Sequence, residues 1–144
     1  MAVSAKAYGN MNLSAFNGLI NWSSGAIKVM LTTSSYTPDQ DAHIYKSSVT
    51  NEVSGAGYVT RGQALTSKTI TYNGTNNTVT MDAADTVWAN STITARYAII
   101  YQDSGVDATS PLLGYVDFGA DFSSSNGNFQ LTWDANGIFT VSTT

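Results

Sequence analysis

Residues 91 to 102, STITARYAIIYQ, alternate along their whole length. Ile93, Ala95, Tyr97, Ile99 and Tyr101 fall on one side, and Thr92, Thr94, Arg96, Ala98 and Ile100 on the other. A period of two is the period of a strand, and the run is rich in the β-branched and aromatic residues that suit a pleated, half-buried surface. Such a strand needs neighbours on both edges and something apolar over its face. The rest of the chain is therefore expected to supply a sheet.

It does so at regular intervals. AIKVMLTT (26–33) alternates with Ile27, Val29 and Leu31 inward and Lys28, Met30 and Thr32 outward. GYVTRGQALT (57–66) is a second strand candidate, broken by Gly62 at a bulge. KTITYNGTNNTVTMDA reads as a hairpin with strands at 68–72 and 78–83 and a turn opened by Asn73-Gly74. LLGYVDFG (112–119) follows, and FQLTW (129–133) and GIFTVST (137–143), joined by DAN, read as a closing C-terminal hairpin. Seven to eight short strands with frequent turn signals predict an all-β fold, an antiparallel β-sandwich or open barrel. Ile27, Val29, Leu31, Ile93, Tyr97, Ile99, Leu131 and Phe139 are its expected core.

The first 25 residues read differently. NLSAFNGLINW places Leu13, Phe16, Leu19 and Ile20 at helical spacing, which predicts one short N-terminal helix packed across an open end of the sheet. MAVSAKAYGN before it, carrying Lys6 and Tyr8, is read as a contact arm, with a frayed tail or an edge strand of its own sheet as the alternative. The division is then an arm and helical segment over 1–25 and a single β domain over 26–144. Residues 36–57 form a long connection, irregular or with a short helix.

Composition narrows the function. Charged residues are 11% of the 144, against a usual share of about 25%, and Glu52 is the only glutamate. A helical surface has too little to be built from, while 42% hydrophobic content suffices for a core. Lys6, Lys28, Lys46, Arg61, Lys68 and Arg96 are scattered and the net charge is -4, so nucleic acid and anionic lipid lack an electrostatic footprint. Without cysteine there is no disulfide, thiolate metal site or thiol nucleophile. No stretch reads as a signal core or a bilayer span, so neither a leader nor a membrane is expected. The sequons at Asn12, Asn21, Asn73, Asn76 and Asn90 are what so much Asn, Ser and Thr produces by chance.

Reactive constellations are equally thin. His43, the one histidine, sits in DQDAHIY, and a polar loop position reads as exposed rather than as a triad base. Asp39-x-Asp41 offers two of the six to eight oxygens calcium takes, and reads as a turn after Pro38 capped by Asp39. Asp82, Asp85, Asp103, Asp107, Asp117, Asp121 and Asp134 lie at strand ends and turns, with no spacing that selects a glycosidase pair. Gly55, Gly57 and Gly62 miss the dinucleotide fingerprint at Thr60 and shape a turn instead. Tyr58, Tyr72, Trp88, Tyr97, Tyr101, Tyr115, Phe118, Phe129, Trp133 and Phe139 go first to a β core, then to an interface. No catalytic, cofactor-binding or metal residue is assigned, and no enzyme is expected.

One resemblance runs from Ile27 to Val141. IKVMLTTSSYTPDQDAH, NEVSGAGY, NTVTMDA, STITARYAIIYQDSG, SPLLGYVDFGAD and the C-terminal W-x-A-N-G-IFTV occur here in the order in which similar segments occur in a family of small tailed-phage virion proteins. The resemblance implies a capsid decoration (cement) protein. It would be assembled in the host cytoplasm, bind the outside of the major capsid protein lattice and self-associate, as a trimer by analogy with other decoration proteins. A tail, neck or head-fibre component, or a carbohydrate-binding β-sandwich using Trp88 or Trp133, are the alternatives.

Overall fold

The computed structural model describes residues 3 to 143. In chain order its elements are β1 (Ser4–Ala7), α1 (Met11–Phe16), β2 (Ile27–Thr32), β3 (Gln63–Ala64), β4 (Thr69–Asn73), β5 (Thr78–Asp82), β6 (Thr86–Ser91), β7 (Thr94–Gln102), β8 (Leu112–Ser123), β9 (Gly127–Leu131) and β10 (Phe139–Ser142). Two single 3-10 turns, Lys46–Ser48 and Asp107–Thr109, lie in the connections. Every strand pair is antiparallel. The strands form a five-stranded sheet in the order β1-β8-β7-β2-β3, a three-stranded sheet β10-β5-β4 and a pair β6-β9. The fold is all-β and sandwich-like, as the alternation predicts.

The larger sheet is one layer, and the two smaller ones make the other. Ile27, Val29 and Leu31 of β2, Ala98 and Ile100 of β7 and Val116 and Phe118 of β8 share a buried cluster with Trp88 of β6 and Phe129 and Leu131 of β9. Met81 of β5 and Phe139 of β10 border it. Of the expected core, six residues are buried, while Tyr97 and Phe139 are half-buried.

Alternation misleads about the opposite face. Met30 and Thr32, expected outward, are buried. A second cluster of Tyr8, Met30, Tyr36, Ile99, Tyr101 and Leu112 covers that side, with Tyr36 and Val49 supplied by the long connection. The large sheet is thus buried on both faces, and the connection is a lid of core residues. Along β7 the faces also exchange. Ile93 and Ala95 belong to the inter-sheet core, yet Ala98 and Ile100 continue it while Tyr97, Ile99 and Tyr101 turn to the second cluster. Between the pairs Ala95–Phe122 and Tyr97–Asp117, Arg96 alone stands opposite residues 118–121 of β8. Such an irregularity reverses the side-chain parity beyond it, which no reading of alternation foresees. Arg96 Nε donates to Asp117 Oδ1 at 2.7 Å, and the same oxygen accepts the Gly119 N–H at 2.8 Å, pinning the irregularity in place.

Three further expectations are corrected. The C-terminal hairpin does not form: β9 pairs with β6 and β10 with β5, so the two segments join different sheets. The helix exists, but it buries Met11 and Ser14 and leaves Leu13, Phe16 and Leu19 exposed, with Ile20 alone of the expected face against the core. The N-terminal arm is an edge strand, the alternative reading. Ser4 to Ala7 pair with Asp117 to Gly114, and Tyr8 is buried, so these residues belong to the sheet that was expected to begin at residue 26. The hairpin β4–β5 is as expected, with Asn73 paired to Thr78 across its turn.

Candidate functional site

The edge strand β1 lies over a groove of about 700 Å³ lined by β8, β9, the 132–134 turn and the start of β10. Val116, Phe118, Phe129 and Phe139 give it an apolar wall, and Phe122 and Trp133 also line it. Lys6, Asn128, Gln130 and Asp134 bring its polar groups, and Asp134 is the one carboxylate among them. General acid-base work on a glycosidic bond needs two. The Trp133 indole N–H donates to the Ala84 carbonyl at 3.2 Å and its backbone N–H to Asp85 at 3.0 Å, so this aromatic is held rigidly. Trp88, by contrast, is fully buried, stacked on Tyr58 and edge-on to Phe129. It is core, and no sugar can stack on it.

His43 is not the exposed loop residue expected. It is half-buried and stacked on Tyr36, whose hydroxyl is 2.9 Å from Nδ1. The Asp39 N–H donates to the same nitrogen at 3.2 Å, which makes Nδ1 the acceptor, and the Tyr8 and Tyr36 hydroxyls are bonded at 2.8 Å. Burial pushes the Tyr36 phenol up to about 12, and burial followed by the bond to Tyr36 raises Tyr8 further. This is a network that fastens the long connection and β1 to the sheet. No serine takes part in it.

Asp39 caps its turn as expected, its Oδ1 accepting the N–H groups of Asp41 and Ala42 at 3.0 and 2.9 Å. Asp82, Asp85 and Asp134 accept backbone N–H groups in the same way. Gly55 and Gly57 press against the backbone of Thr92 and Ser91. Among the described residues no three His, Cys, Asp or Glu side chains gather where they could hold a metal ion.

Two arrangements were not foreseen. The first is an ion cluster at the end of β7. Arg61 grips Asp103 through Nε at 3.1 Å and through its terminal nitrogen, and reaches Asp107; Lys28 meets Asp103 at 2.8 Å and the buried Lys46 meets Asp107 at 3.4 Å. The Arg61 guanidinium, foremost, holds both carboxyls below the usual carboxylate range. The second is the exposed apolar surface of the helical segment, where Phe16 is 90% and Leu13 60% exposed. Helical spacing announces an apolar face but not which way it turns. The groove has no local signal at all, because its walls come from opposite ends of the chain.

No protein-family model, curated protein or solved structure matches the chain.

Proposed function

We propose that this chain is a structural protein of a tailed-phage particle, a decoration (cement) protein that binds the outer surface of the major capsid lattice, with self-association as a trimer. The observation that carries this reading is the outward-facing apolar surface of α1. A phenylalanine as exposed as Phe16, with Leu13 beside it and Leu19 just beyond, is costly in water and suits a contact with another protein. A rigid two-layer body with both faces of its main sheet buried is the support such a contact needs. The sequence resemblance supplies the phage context.

The test is reconstitution on capsids stripped of the protein. The parent chain should restore full density on the capsid exterior, and Leu13→Ser/Phe16→Ser, which changes two exposed residues outside both core clusters, should lower occupancy at least about tenfold, as loss of a hydrophobic hot spot does. Density confined to the tail or neck would replace decoration with those roles. Undiminished occupancy of the double variant would remove α1 from the interface. The groove favours a second reading, a carbohydrate-binding module, because Trp133 is fixed at its edge beside Asn128 and Gln130. Glycan binding lost in Trp133→Ala would support it.

A further inference from the structure

We propose that Asn73 is a self-modifying residue, converted in the folded chain to aspartate and isoaspartate through a cyclic imide with Gly74. In this reaction the Gly74 backbone nitrogen attacks the Asn73 side-chain carbonyl carbon. A C–N bond forms there, the bond to the side-chain nitrogen breaks, and the nitrogen leaves as ammonia with the proton given up by the amide. Water then opens the five-membered imide at either carbonyl. The net change is water in and ammonia out, with no oxidant or other partner.

Four Asn-Gly pairs occur, at 17–18, 73–74, 126–127 and 136–137, so sequence alone does not choose among them. The structure does. The attacking N–H must be uncommitted, yet Gly18 donates to the Ala15 carbonyl and Gly137 to the Asp134 carbonyl, both at 3.0 Å. Gly127 opens β9, is paired with Ser91 and accepts the Ser91 hydroxyl at 3.1 Å through its carbonyl. Gly74 makes no hydrogen bond through its N–H among the described residues.

The electrophile is prepared as well. The Thr75 N–H donates to Asn73 Oδ1 at 2.9 Å, which folds the carboxamide back along the turn beside Gly74. The same donor points at the oxygen on which negative charge develops during attack, where a fixed hydrogen bond is worth most. Asn126 and Asn136 instead donate their own backbone N–H groups, to Thr92 Oγ1 at 3.0 Å and to Asp134 Oδ1 at 2.8 Å. Residues 73–77 are all exposed, so water reaches the imide and ammonia leaves freely. The product places a new negative charge at the end of β4, and the isoaspartate form adds a methylene to the backbone where Asn73 pairs with Thr78.

Ageing the full-length chain at mildly alkaline pH, with peptide mapping and enzymatic detection of isoaspartate, tests this. Asn73 should convert about tenfold faster than the other three asparagines, the scale of advantage that a modest gain in orientation gives. Gly74→Ala keeps the fold, since an added Cβ meets only Tyr72 Cε1 at 3.7 Å, and should slow conversion at Asn73 about tenfold by obstructing the attacking nitrogen. In denaturant the four rates should converge. A lead by another Asn-Gly pair, an unslowed Gly74→Ala, or an equal lead for Asn73 in the denatured chain would each overturn the proposal.

Discussion

Arg61 has a backbone that arginine does not choose. Its φ of 79° lies in the left-handed region, which costs a side chain with a Cβ about 1 kcal/mol or more. Four separate contacts hold it there: its N–H donates to Glu52, its carbonyl accepts the Tyr101 hydroxyl at 2.6 Å, and its guanidinium grips Asp103 and Asp107. Gly62 follows at the same φ, and a Cβ on it would collide with the Val29 carbonyl. Gly62→Ala should therefore destabilise the chain by about 3 kcal/mol in denaturant titration, combining strain with displacement of β2. Asp103→Asn should cost about 2 kcal/mol, since it weakens charge-assisted hydrogen bonds from two cations. It should also change the acid profile. Asp103 and Asp107 hold folded-state pKa values below those of the unfolded chain, so their stabilisation is complete above about pH 5 and drains away as pH falls through the unfolded and then the folded values. Asp103→Asn should flatten that loss, measured as the unfolding midpoint across the acid range.

At the scale of elements, β1 closes one edge of the main sheet and feeds Tyr8 into its outer core. Deleting residues 2–9 should unfold or severely destabilise the chain, seen as a lost cooperative thermal transition. It should not leave an intact body lacking an arm. How far elements could be read follows from what sets each one. The hairpin β4–β5 was legible because Asn73-Gly74 and the flanking alternation lie within one short stretch. The inner faces of β2 and of β7 near Ile93 were legible for the same reason. The parity reversal at Arg96 was not, since it depends on extra residues in β8, and neither were the partners of β9 and β10, which are chosen by sheets built elsewhere in the chain. For the exposed surface, helical spacing marks Leu13, Phe16 and Leu19 as a set but does not fix the direction they face. Met11 and Ser14 occupy the buried side because the entering chain at Tyr8 is already anchored.

For the whole molecule, topology governs how quickly order is reached. β1 pairs with β8 across most of the sequence, and β2 with β7 across half of it. Refolding from denaturant should take milliseconds to seconds, as for non-local β domains, and stopped-flow fluorescence of buried Trp88 and Trp22 should report it. The same pairing has a consequence during synthesis. A ribosome adding about 5–20 residues per second leaves the first strand unpaired for roughly ten seconds before β8 emerges. Throughout that interval β2, buried on both faces in the finished fold, also waits for β7. A nascent chain of this kind is most vulnerable to aggregation and to proteases just before its last third appears, so slow translation late in the message should lower yield more than slow translation early.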